Sequence, residues 1–229
     1  MEDTDTMELP ELINKCWAGH DSDPGGMAAL LREHTALVKD AMDAVQFSGV
    51  FLHLVGSELG DWAGAADQLD GLLSDLPEAP ELALVLVQVA VARSMAGEEE
   101  AAGAAVERAM TLAPEPKAAI PARVQLLVAE AKAGTGAWPA ALELHGKALA
   151  TIRGGVSPAG LMRTLAVCSN NMSTALLDGG ERSVRADVTS ATYDRHTGTW
   201  TVVVYIQGDS TDADHLTFAV NHLGRTGQA

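Results

Sequence analysis

Three glycines recur in this chain at a spacing that admits few folds. Gly60, Gly97 and Gly136 lie 37 and 39 residues apart, and each follows an apolar stretch that reads as a helix. A small residue stands five positions after each glycine: Ala65, Ala102 and Ala141. Nine positions after it come Leu69, Val106 and His145, and twelve after it come Leu72, Ala109 and Ala148. Pro77 and Pro114 close two of the three segments, seventeen positions past the glycine. Upstream, the pairs Leu52-His53, Val89-Ala90 and Val128-Ala129 lie eight and seven residues before it. Glycine ends a helix well because it adopts the left-handed conformation without steric cost. Small residues let two helices cross closely. The pattern therefore predicts successive antiparallel helix hairpins joined by short turns.

This arrangement resembles the tetratricopeptide repeat, a helix hairpin of about 34 residues, over roughly residues 46–152. The repeat's glycine maps to Gly60, Gly97 and Gly136. Its bulky residue two positions later maps to Trp62 and Trp138, with Glu99 departing. The helix-crossing alanines map to Ala65, Ala102, Ala109, Ala141 and Ala148, and the terminal proline to Pro77 and Pro114. His53 and Leu72 depart, standing where a small residue is usual. A fourth first helix is expected from Leu161 to Leu177, through Asn170-Asn171-Met172-Ser173, with no evident second helix. The chain is also similar to a bacterial family built on such repeats. That similarity rests on Trp17, Asp23-Pro24-Gly25, Gly60-Asp61-Trp62, Asn170-Asn171 and Gly198-Thr199-Trp200. The family brings no activity with it. The resemblance implies a mainly α fold, a right-handed α-solenoid of tetratricopeptide-like hairpins.

Around this body the chain divides into a disordered acidic tail (1–6), an N-terminal helical cap (7–40), the repeats (41–180) and a divergent C-terminal segment (181–229). In the cap, Leu9, Leu12, Ile13, Cys16 and Trp17 form one apolar stripe at helical spacing. Asp23-Pro24 reads as a helix start, with the helix continuing to about Val38. The C-terminal segment changes character: Val and Thr supply 14 of the 47 residues from 183 to 229. Asp194 to Gly198 has the chemistry of a tight turn, flanked by β-prone residues up to Ile206. Two readings stand here. One is a β-hairpin. The other is a degenerate helical repeat, since Gly198-Thr199-Trp200 echoes Gly60-Asp61-Trp62. Asp214 to Gly224 then reads as a helix.

Composition excludes several functions. The formal charge is −16, with 15 basic against 31 acidic residues. A nucleic-acid binder needs a basic face, and so does a protein that docks on anionic lipid. The charge is uneven: residues 1–80 carry 16 acidic and 3 basic groups. Hydrophobic residues make up 47% but aromatics only 4%, and 39 positions are Ala, a composition suited to close-packed helices. The two cysteines, Cys16 and Cys168, form no framework, which favours a reducing cytoplasm. The N-terminus lacks a signal-peptide pattern. The apolar run from Leu82 to Ala92 is too short to span a bilayer, which takes about 20 apolar residues. A soluble cytoplasmic protein is expected.

No phosphate loop, HExxH motif or nucleophile elbow is present, so the expectation is no enzyme, no cofactor and no metal. His215 and His222 are seven residues apart. On a helix that is about 10 Å, too far for one ion. His20, Asp21 and Asp23 cluster at a turn, where Asp23 reads as a helix cap. Glu98-Glu99-Glu100 opens a helix, where carboxylates favour the positive end of the dipole. The remaining candidate is the concave face, which first helices line in such superhelices. It would present Phe47, Phe51, Gln88, Met95, Arg123, Glu130, Asn170 and Asn171. Amides there pair with an extended peptide backbone. Arg123 stands alone, without the basic pairs that clamp a terminal carboxylate in some such repeats. The expected function is a scaffold that binds a partner protein or peptide, a basic one docking near residues 1–80. The alternative is a ligand-binding sensor or regulatory module of a bacterial signalling or transcription system.

Overall fold

A computed structural model describes residues 7–178, 185–194 and 199–207, which are mainly helical. The chain divides into two compact units, residues 1–124 and 125–229. The first contains α1 (Leu9–Gly19), α2 (Pro24–Glu33), a 3-10 turn (Thr35–Leu37) and α3 (Ala41–Phe51), which continues as a π-helical stretch (Leu52–Glu58). It goes on through α4 (Trp62–Asp75), α5 (Leu82–Met95) and α6 (Glu99–Leu112) into the start of α7 (Ala119–Gly134). The second contains the rest of α7, then α8 (Trp138–Arg153), α9 (Ala159–Asp178), β1 (Arg185–Asp194) and β2 (Thr199–Gln207). The strands are antiparallel, Arg185 opposite Gln207 and Asp194 opposite Thr199, with a register shift between Val188 and Ser190. Residues 1–6, 179–184, 195–198 and 208–229 lie outside the described residues, and with them the turn expected between Asp194 and Gly198, the helix expected from Asp214, His215 and His222.

A side-chain cap starts α2 as the sequence suggests. Asp23 accepts from the Gly26 N–H at 2.8 Å, with Pro24 in the first turn of α2. Asp40 caps α3 and Asp61 caps α4 in the same way. The helix expected to reach Val38 instead stops at Glu33. The His34 imidazole Nδ1 lies 2.9 Å from the Leu30 carbonyl, the group that a continuing helix would pair with the His34 N–H. That N–H bonds Leu31 instead, and the 3-10 turn follows.

The helix ends repeat one geometry. Gly97 has φ +80° and Gly136 has φ +78°. At the first, Gly97 N–H donates to Ser94 and Glu98 N–H to Arg93; at the second, Gly136 donates to Ala133 and Ala137 to Lys132. These paired bonds satisfy the last helix carbonyls while the chain reverses. Gly60, at φ +72°, does the same with one residue more in the loop: Gly60 donates to Gly56 and Asp61 to Val55. The extra residue belongs to the π-helical stretch. Within it, a Cβ at Gly56 would come within 2.6 Å of the Trp62 ring. The indole of α4 therefore rests on bare backbone.

Packing follows from these reversals. The crossing residues Ala65, Ala102 and Ala141 are all buried. In α4 the next buried turn is Leu73 rather than Leu72. Helix α5 buries Leu82, Ala83, Val85, Leu86, Val87, Val89, Ala90, Val91 and Ala92, residues from every side of it. A helix apolar all round must lie inside, and α5 packs against α3, α4 and α6. In the second unit, Ala129 and Ala133 of α7, Ala141 of α8 and Met172 of α9 form one cluster, against which Trp138 and Leu144 pack. Arg93, on the last turn of α5, ties the hairpins of the first unit together. Its Nη2 lies 2.7 Å from both Asp67 and Asp70 of α4, and its Nη1 lies 2.6 Å from Glu98 at the start of α6. These carboxylates hold the guanidinium charged far above its ordinary range.

Two predictions follow from this geometry. Gly97→Ala keeps free space around the new methyl but forces alanine to φ +80°. It should lower unfolding stability by about 1–2 kcal/mol, whereas Gly103→Ala, mid-helix and uncrowded, should raise it by about 0.5–1 kcal/mol. Urea denaturation of both variants checks the opposite signs. Arg93→Met should cost about 1–2 kcal/mol, discounted for the exposure of its partners. That loss should shrink in 1 M salt if the three carboxylates are its source.

Candidate functional site

The residues expected on a binding face fall into three groups. Phe47 and Phe51 are enclosed, with their rings stacked at 5.4 Å. Arg123 is also buried and engaged twice by Glu115, Nη1 to Oε1 at 2.8 Å and Nη2 to Oε2 at 3.0 Å. These three add nothing to an exposed face, a correction to the expectation. The reason is packing: α3 presents its aromatics inward, and Glu115, held in the loop between Pro114 and Pro116, reaches the guanidinium first. Gln88 and Met95 of α5 are half-buried. Gln88 points toward α3, its Nε2 3.9 Å from where a Cβ on Gly49 would stand.

The third group comes together in the second unit. Asn171 of α9 donates from Nδ2 to Glu130 Oε1 of α7 at 2.6 Å. Asn171 is exposed, and Glu130 and Asn170 are half-buried. Cys168 of α9 is buried. His145 Nε2 of α8 lies 3.0 Å from Ser169 Oγ of α9. The helix register accounts for this juxtaposition, since α7 and α9 share the Ala129, Ala133 and Met172 contact. Chemically the Asn171–Glu130 pair offers a second amide N–H, an amide carbonyl and a carboxylate oxygen side by side.

A separate cluster sits in the first unit. Trp17 of α1, expected in the apolar stripe, is 43% exposed. Its ring lies 5.7 Å from His20 and 5.1 Å from His53, and the two imidazoles are 5.2 Å apart. His20 Nε2 lies 3.2 Å from Asp21 Oδ1, and His53 Nε2 lies 3.3 Å from Glu58 Oε1. The sequence carried one signal of this cluster: His53 stands where the other repeats have buried Ala90 and Ala129. Among the described residues no group of three or more His, Cys, Asp or Glu is arranged to hold a metal ion. None of the described helices is long and apolar enough to cross a membrane. No known protein family, curated protein or solved structure matches the chain.

Both cysteines are free and buried. Burial raises the Cys16 thiol, and burial together with the nearby Glu130 carboxylate raises Cys168 far more. A raised thiol holds less of the thiolate, the reactive form, at a given pH. A disulfide-exchange reagent at pH 8 should leave both unmodified for minutes and modify both at once in guanidinium. Unfolded thiols ionise near their ordinary value of 9.0 whereas the folded ones stay protonated. Stability should therefore fall as pH rises past 9.0, and fall less in Cys168→Ala. Urea midpoints at pH 8 and pH 10 for the two proteins check this.

Proposed function

We propose that this protein is a non-catalytic scaffold of tetratricopeptide-like helix hairpins, stacked as a right-handed α-solenoid, that holds a segment of a partner protein on the face lined by its first helices. The observation that carries the reading is how first helices meet. Helix α3 packs on α5 in the first unit, and α7 packs on α9 in the second. In the second unit that juxtaposition puts the Asn171 amide and the Glu130 carboxylate side by side at 2.6 Å. An amide with unused donor and acceptor capacity suits the backbone of an extended peptide, whatever its sequence. The acid excess of residues 1–80 favours a basic partner. Two free, buried thiols suit a reducing cytoplasm.

The test is affinity capture of the full chain followed by crosslinking mass spectrometry and binding measurements with the partner so identified. Crosslinks should map to α7 and α9. Asn171→Ala should weaken binding about tenfold, roughly the loss of one or two exposed hydrogen bonds, with melting unchanged. Glu130→Gln should weaken it less. Crosslinks confined to other faces, or full affinity in Asn171→Ala, would overturn the proposal.

A further inference from the structure

Trp17 has an imidazole on two sides of its ring and is still left partly open. Leu9, Leu12 and Cys16 of the same helix are buried, yet the indole is 43% exposed. His53 lies against one side of it, tilted by 34°, and His20 meets it nearly edge-on at 79°. His20 is tethered in turn, its Nδ1 2.7 Å from the Trp17 carbonyl. The π-helical stretch Leu52–Glu58 carries both His53 and Glu58 to this place, and such stretches gather at functional sites. An aromatic ring fixed before binding loses little entropy when a partner arrives, which is why interface anchors are so often Trp.

The chemistry around the ring selects the occupant. Asp21, 89% exposed, and Glu58 stand beside the two imidazoles. Residues 1–80 hold 16 acidic groups against 3 basic ones. Of those basic residues, Arg32 is engaged, 3.7 Å from Asp61 and stacked over Phe51. Anionic partners are repelled here. An apolar partner would bury both carboxylates and their imidazole partners away from water. A second copy would bring its own acid excess against this one. A cation fits every term: it is drawn to the negative face of an indole, the best ring for the purpose, and to the carboxylates at its edge.

We propose that Trp17, braced by His20 and His53 and flanked by Asp21 and Glu58, anchors a surface that docks a basic segment of a partner protein, an Arg or Lys side chain stacking on the open part of the indole. This rests on the scaffold reading for the class of partner but names a different surface, at α1 and the π-helical stretch.

Isothermal titration of the full chain with two synthetic dodecapeptides tests it, one carrying alternating Arg and Gly, the other Glu in place of Arg. The Arg peptide should bind and the Glu peptide should not, with affinity falling about tenfold or more between 50 and 300 mM salt. Trp17→Phe should weaken binding a few-fold and Trp17→Ala about tenfold. Asp21→Asn with Glu58→Gln should weaken it and flatten the salt dependence. In protein labelled with 5-fluorotryptophan, the fluorine resonance that Trp17→Phe removes should be the one that shifts. Thermal melts separate lost binding from lost folding, and Trp17→Phe with the carboxylate variants keeps the test valid if Trp17→Ala unfolds α1. The proposal is overturned if the Arg peptide fails to bind, if folded Trp17 variants bind it unchanged, or if Trp17 is buried by self-association. Partner binding that survives Trp17→Phe and the carboxylate variants but fails in Asn171→Ala would discard this surface and keep the scaffold.

Discussion

The fold of the first unit depends on how its helices end. At Gly97 the backbone turns left-handed, and two hydrogen bonds to Ser94 and Arg93 close the helix within its own last turn. No side chain has to supply those bonds. The chain can then reverse in three residues and start α6 directly beside α5. Helices that begin so close can separate only if large residues hold them apart, and Ala102, the crossing residue, does not. Gly136 and Ala141 repeat this arrangement in the second unit. Gly60 reaches the same reversal by a longer path, with one residue more in the closing hydrogen bonds and the Trp62 indole lying over Gly56.

Charge takes a second place, and its use is economical. Arg93 alone draws Asp67, Asp70 and Glu98 to one guanidinium, so three carboxylates of an acid-rich chain serve as ties between α4, α5 and α6. Arg123 is committed to Glu115 inside the structure. What remains outside is an excess of acid on the first unit. That excess sets up repulsion between like-charged copies of the unit.

The candidate sites were legible in unequal measure. The sequence puts Glu130, Asn170 and Asn171 on one expected face, but the contact between Glu130 and Asn171 comes from the packing of α7 on α9. Phe47 and Phe51 could not be assigned correctly. A first helix has an inner and an outer side, and a pair of aromatics spaced by one turn marks a face without saying which. Trp17 failed in the opposite direction. Its spacing with Leu12 and Cys16 put it in the buried stripe, yet it lies at the edge of that stripe and is partly uncovered. Arg123 looked free because its partner, Glu115, lies in a loop that no periodicity describes.

By itself the sequence determined where α2 starts, where the chain turns back at Gly97 and Gly136, and which small residues are buried after those turns. Those are local matters: an Asp side chain caps its own helix, a Gly takes a positive φ, and an Ala makes no demand on its neighbours. The α5 segment, apolar on all sides, likewise had to be central. The tertiary structure decided the π-helical stretch before Gly60, the burial of the α3 aromatics, the closure of Arg123 by Glu115, and the meeting of Trp17, His20 and His53. Each depends on a side chain that another element brings to it. An indole from the next helix, a carboxylate from a loop and an imidazole from the π-helical stretch meet their partners through space, and helical periodicity does not describe those meetings.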